Sequence, residues 1–330
     1  MSSAALELPA VPRAAQRASL AALGWVLGAF VLALVAPELL FVLGPASFGV
    51  LHVAADYRYL VVRPGLPAPF TLALGVGSLA LVLVRAFEAM IPKHLAFARL
   101  EVAMGFGLAL LAVVFAARGG ASRVRALALA SAVLGVGALA VSSPLTARLV
   151  FAHAHNVIGV ALFCLFWKRA RRPVLPVLAA VALGTAALAA AGALAPSAVF
   201  SPWNERLLFE MKAALPREWP PEAIRAVGTT YVFLQMVHYG VWLVMIPLVS
   251  AGSLDSSPSA VLAGWRRDLG PTLFFAAIAG ALLVFGASFV EVHRTRQLYL
   301  SLATFHGYLE LAAAAFLVAS RRPLMAKEAQ

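Results

Sequence analysis

Long apolar stretches separated by short polar ones run through the whole chain. They can be drawn at about 18–43, 46–62, 67–92, 95–118, 122–142, 145–168, 173–196, 225–250, 270–290 and 297–320. All but 46–62 reach the ~20 residues that an α-helix needs to cross a bilayer core. The pattern predicts an all-α fold: a polytopic transmembrane helical bundle of about ten helices, forming a single membrane domain over 1–330. The short segment 46–62 also carries Arg58, which sets it apart from the rest.

Composition sharpens this picture. Hydrophobic residues make up 62% of the chain and charged ones 12%, whereas a soluble domain is about half apolar and a quarter charged. A soluble globular protein, a disordered chain and a collagen-like repeat are excluded. Cys164 is the only cysteine, so there is no disulfide scaffold. A net charge of +12 does not imply nucleic acid here, because cytoplasmic loops of membrane proteins collect Arg and Lys. The basic residues fall in alternate connections: Arg63; Arg118, Arg123 and Arg125; Lys168, Arg169, Arg171 and Arg172; Arg266 and Arg267; then Arg321, Arg322 and Lys327. Both termini are therefore expected in the cytoplasm, with 1–17 and 321–330 as cytoplasmic tails. The first apolar run is too long for a signal-peptide core and reads as a retained span. The Arg- and Ala-rich composition suggests a bacterial inner-membrane protein whose partners are membrane lipids. The connection 197–224 falls outside; Trp203, Leu207, Leu208, Met211 and Leu215 recur there at helical spacing and predict an amphipathic helix in the outer interface.

Polar residues inside apolar helices carry the chemistry. A charge at the centre of a membrane helix costs ~2.5–3.5 kcal/mol on insertion scales. Segment 46–62 holds Ser47, His52 and Asp56, and segment 145–168 holds His153, His155 and Asn156. Segment 225–250 holds Gln235, His238 and Tyr239, and segment 297–320 holds His306, Tyr308 and Glu310. All four run from outside to inside in this topology. At 1.5 Å per residue, His52, His153, His238 and His306 lie roughly 9, 12, 20 and 14 Å below the outer boundary. Glu38, Glu88 and Glu101 fall toward the same side.

One intramembrane histidine is most simply an interhelical hydrogen bond. Four at a common depth, from four helices, point to a shared centre. His52 and Asp56 are spaced i, i+4, as are His306 and Glu310, so each pair shares a helix face. His153 and His155 face apart, and depth favours His153 as the ligand with His155 as an outer or additional partner. Imidazole with carboxylate suits iron, manganese or zinc, and two His plus one carboxylate with open positions is the common non-haem iron arrangement. Asp56, Glu310 and His155 are the candidates for orienting or completing the set. Arg85 and Glu88, at i, i+3, are expected to pair. His94 and His293 are expected in solvated loops, and Tyr239, Tyr308 and Trp242 as packing residues. There is no H-E-x-x-H helix and no phosphate-binding G-x-x-x-x-G-K-[ST] loop.

The string Gly49-Val50-Leu51-His52-Val53-Ala54-Ala55-Asp56 resembles the opening motif of the Brp/Blh family, polytopic membrane proteins that include β-carotene-cleaving dioxygenases. The family motif is glycine, a hydrophobic residue, proline and histidine, with an acid four residues on; Leu51 stands at the proline position here. The family's later H-x3-H pair would require histidine at Trp242, and its His-Phe-Gly with a following Asp is not reproduced at His153. The resemblance implies oxidative cleavage of a carotenoid or similar polyene, with His52, His153, His238 and His306 as iron ligands.

The expected function is an integral membrane metalloenzyme, a non-haem iron oxygenase acting on a hydrophobic lipid or isoprenoid. Three alternatives stay open: a haem-binding electron-transfer or quinone-linked protein, an intramembrane zinc hydrolase, and a transporter.

Overall fold

The computed structural model describes residues 13–91, 95–166, 171–194, 218–247 and 258–320. The interfacial helix expected over 203–215 and the tail at 321–330 lie outside them, as do His94 and the side chain of His293. Among the described residues the fold is all-helical, with no strand.

The helices are α1 (Arg13–Val35), α2 (Pro37–Asp56), α3 (Ala68–Met90), α4 (Leu95–Arg118), α5 (Arg123–Ser142), α6 (Pro144–Phe166) and α7 (Arg171–Leu194). They are followed by α8 (Pro221–Gly240), α9 (Pro258–Ser288), α10 (Val292–Ala303) and α11 (Phe305–Ser320). Proline opens α2, α6, α8 and α9, at the one helical turn where its missing N–H is no loss. Two π-helical segments extend α2 through Tyr57–Val62 and α8 through Val241–Met245.

Three boundaries differ from the hydrophobic pattern. The stretch 18–43 is not one helix: Ala36 leaves helical geometry at φ −147° and ψ 56°, because the ring of Pro37 disfavours a helical residue before it. The remainder joins 46–62, so Leu39–Val62 is a 24-residue apolar span. Arg58 within it is buried but not alone, with Nε and Nη2 at 2.8 and 2.7 Å from Asp268 Oδ2. Arg63 closes on the same oxygen at 2.9 Å. Second, α9 begins well before residue 270 and kinks at Gly270, whose φ of 74° is left-handed and precedes Pro271. Third, 297–320 divides at Thr304 into α10 and α11, although Arg294–Ser320 still forms one 27-residue apolar stretch.

Seven of the described helices are long and apolar enough to cross a membrane. The apolar runs in α1 and α7, Ser19–Val35 and Val177–Ala190, are shorter. The helix α8 is diluted by Thr229, Thr230, Gln235 and His238. Outer helices turn large apolar side chains outward: Leu72 of α3, Leu127 and Leu139 of α5, and Leu282 and Leu283 of α9 are all exposed. So much uncovered apolar surface fits lipid rather than water. The interior is formed where α2, α8 and α11 meet, with α6 against α8 and α11. These four helices carry the polar residues of interest.

Candidate metal centre

The helix spacing of the sequence becomes a shared centre in the fold. His52 and Asp56 sit one turn apart on α2, His306 and Glu310 one turn apart on α11, and His238 and Trp242 at the same spacing where α8 passes into its π segment. His52, Asp56, His238 and Glu310 are at most 1% exposed, and His306 is buried with them. One ligand atom from each of His52, Asp56, His238 and His306 lies within 4.8 Å of every other. Opposite ligands at ~2.1 Å from one ion are about 4 Å apart, so these atoms lie on the scale of a single coordination sphere.

Individual contacts define how each ring is held. Nδ1 of His306 hydrogen-bonds the Ala303 carbonyl across the break between α10 and α11. A carbonyl only accepts, so Nδ1 carries the proton and Nε2 of the neutral ring presents its lone pair. That Nε2 lies 3.1 Å from Nε2 of His52. Two lone pairs at this distance repel, so a proton or a cation must lie between them. His238 Nε2 is 3.5 Å from Glu310 Oε1, and the same oxygen accepts a 3.0 Å hydrogen bond from Trp242 Nε1. Trp242 thus anchors the carboxylate that faces His238. Tyr239 lies against His52, with ring centroids 4.5 Å apart.

The acids expose the demand for a cation. Both oxygens of Asp56 and Oε2 of Glu310 make no hydrogen bond within the protein. Burying a polar group without a partner costs at least ~1–3 kcal/mol, and a charge costs more. Three carboxylate oxygens without a protein partner beside converging imidazoles fit the donor set of a metal site. The cluster could hold a metal ion, and its N/O donor set suits iron, manganese or zinc alike.

Of the paired candidates on α6, the structure sets His155 beside the cluster and His153 away from it. The His155 ring is 5.1 Å from that of His238 and 5.2 Å from that of His306. Its Nδ1 is bonded to the Phe151 carbonyl at 3.3 Å, which leaves Nε2 for the interior. His153 packs on Tyr231 at 5.0 Å and bonds Leu149 O at 2.9 Å. Depth alone could not distinguish them, because residues two apart differ by about 200° around a helix.

The His238 and His306 rings are 6.3 Å apart by centroid, and His52 and His155 each lie within 5.3 Å of both, so a macrocycle between His238 and His306 would occupy the space of the other two.

Two close approaches make the cluster possible. A Cβ on Gly159 of α6 would stand 2.6 Å from His238 Nδ1 and 3.2 Å from Trp242 Nε1. A Cβ on Gly105 of α4 would penetrate the Tyr308 ring.

A second polar constellation joins α3, α4, α6 and α11. Arg148 reaches Glu88 Oε1 and Oε2 at 2.6 and 2.8 Å and Glu101 Oε2 at 2.5 Å. Arg85 reaches Glu88 at 3.0 Å and Glu101 at 2.9 Å, while Tyr308 donates to Glu101 at 3.3 Å. The i, i+3 pairing of Arg85 with Glu88 is present but is one edge of a four-charge network. Arg148 is the contributor that sequence reasoning passed over, and Trp242 was read there only as a packing residue. The available signals were an arginine near the start of an apolar helix, at the level of two acids, and a tryptophan one turn from a histidine.

No family model matches the chain, and searches of curated proteins and of solved structures return no match. The fold and site define the class at this point: an all-helical bundle with membrane-length apolar helices and a buried His/Asp cluster able to bind metal.

Proposed function

We propose that the protein is an integral membrane metalloenzyme, a non-haem iron oxygenase acting on a hydrophobic lipid or isoprenoid substrate. The carrying observation is the fully buried Asp56 carboxylate, without a hydrogen bond, in a tight group with His52, His238 and His306. In this reading His52, His238, His306 and Asp56 hold the ion, and His155 borders it. Iron in such a donor set supplies reactivity toward dioxygen. The chain itself binds and orients. Glu310, fixed by Trp242, orients His238; the Ala303 carbonyl holds His306 in one tautomer; Tyr239 and the surrounding apolar helices exclude water. A carotenoid is the narrower substrate implied by the Brp/Blh resemblance.

The protein is placed, in this proposal, in the bacterial cytoplasmic membrane with both termini inside. The clustering of Arg and Lys in alternate connections supports that orientation.

The test is oxygen uptake by purified protein loaded anaerobically with Fe²⁺ in lipid nanodiscs, with products followed by mass spectrometry. Uptake and a cleaved or oxygenated product are expected with isoprenoid polyenes, beginning with β-carotene, and neither with the His306→Ala variant. Fully iron-loaded protein that consumes no oxygen with any lipid or isoprenoid overturns the oxygenase reading. Hydrolysis of a lipid ester by zinc-loaded protein would replace it.

A further inference from the structure

A cavity of about 200 Å³ opens beside the histidine cluster. His155 and His306 line it, and so do Arg85, Glu101 and Arg148. It therefore connects the candidate centre with the four-charge network. Phe151, Tyr231 and Leu300 contribute apolar surface, and Phe151 is stacked on Tyr308 with centroids 4.5 Å apart. Ser301, Thr304 and Tyr308 belong to the same lining.

Size and charge limit the occupant. Sites that enclose a drug-sized ligand run to ~300–1,000 Å³, so this one takes a single ring or a short chain end, not a whole lipid. The network is balanced, with two guanidinium groups on two carboxylates. An incoming anion would have to displace Glu88 or Glu101 from Arg148 and Arg85, and an incoming cation would have to displace an arginine. A neutral oxygen needs neither exchange. It can share the N–H edge of a guanidinium or, as a hydroxyl, donate to Thr304 Oγ1, which accepts from Arg85 Nη2 at 3.3 Å and gives its own proton to the Leu300 carbonyl at 2.8 Å. Flat aromatic walls suit a ring.

We propose that this cavity binds the uncharged, oxygen-bearing ring end of a lipophilic molecule, and so determines which bond of that molecule lies against His155 and His306. The second half of the proposal rests on the metal-centre reading; the binding preference does not.

The test uses three probes of one shape: 4-hexylphenol, hexylbenzene and 4-hexylbenzoate. Binding to the full-length protein in phosphatidylcholine nanodiscs is measured by equilibrium dialysis, with empty nanodiscs subtracted, and metal content is measured on the same samples. Hexylphenol is expected to bind about tenfold tighter than either other probe, the effect of one well-made hydrogen bond. Ala152 also lines the cavity, so Ala152→Leu, which fills it, should abolish the preference while metal content stays at the wild-type level. Thr304→Val should reduce it several-fold, and it serves as the test if the leucine variant does not fold. Equal binding of the three probes, preference for the benzoate, or a preference that survives in both variants overturns the proposal. The two readings fail separately. Metal at full occupancy without hexylphenol preference sinks the cavity alone, whereas the preference in a protein that binds no metal sinks the metal reading and leaves the cavity standing.

Discussion

Gly159→Ala adds one methyl group to α6 and tests the candidate centre without replacing any ligand. The new Cβ would lie 2.6 Å from Nδ1 of His238. An ordinary contact is about 3.5–4 Å, so either the His238 ring or the α6–α8 spacing must yield by about 1 Å. Metal–ligand distances tolerate ~0.2 Å, so His238 would leave the coordination sphere or tilt within it. Disturbing the support of a ligand typically costs 10–100-fold in metal affinity, about 1.4–2.7 kcal/mol. Stability carries an opposing pair of terms. Overpacking costs about 1–3 kcal/mol, while replacing a helical glycine by alanine returns about 1 kcal/mol. The net is a change between neutral and about 2 kcal/mol destabilising. Gly107→Ala on α4 is the control, because nothing lies within 4 Å of its Cβ position; it should be neutral to mildly stabilising and keep its metal. The assay is metal content after dialysis against a graded chelator, with thermal unfolding in the same detergent. A Gly159→Ala protein that retains metal as tightly as Gly107→Ala, and unfolds no earlier, would refute the packing argument at His238.

Three further outcomes follow from the same contacts. Trp242→Phe removes the one hydrogen bond to buried Glu310 Oε1, and should lower stability by about 1–3 kcal/mol and weaken metal retention, read by unfolding and by chelator titration; loss of stability alone would limit Trp242 to packing. Asp268→Ala leaves the buried Arg58 without its counter-charge and should cost about 3 kcal/mol, part of which Arg58→Met in the same chain should restore; a double variant no better than the single would contradict the pairing. Chelation of bound metal from the wild-type protein should lower its unfolding temperature, since an ion that binds only the folded chain stabilises it, and the same treatment should leave His52→Ala/His306→Ala unchanged.

Much of the architecture is readable from residue pattern because a bilayer imposes it. Apolar runs of about 20 residues anticipate α3 through α6 to within a few residues. The break at Ala36 and Pro37 was hidden because the residues on both sides are apolar, and only the conformational restriction ahead of proline marks it. The π segments after Asp56 and Gly240 have no pattern of their own, although both follow residues of the candidate centre, as such segments often do. The convergence of His52, His238 and His306 could be reasoned from depth and from the i+4 acids. The side of α6 that faces inward could not, because depth says nothing about rotation; His155, rather than the expected His153, lies beside the cluster. Arg148 pairs with Glu88 and Glu101 from two other helices, and such pairing is invisible until the helices are packed. Tyr239 and Trp242 read as packing residues from their type, yet the first lies against His52 and the second anchors Glu310.

The central claim is that imidazoles from α2, α8 and α11, with Asp56, form one metal-binding sphere. Elemental analysis joined to X-ray absorption on detergent-purified protein tests it most directly. The account predicts stoichiometric transition metal with nitrogen and oxygen neighbours at ~2.0–2.2 Å, including an imidazole signature that is lost, with the metal, in His52→Ala/His306→Ala. Protein that is folded and metal-free after exposure to iron, manganese and zinc, or a double variant that keeps the wild-type metal content, would contradict it.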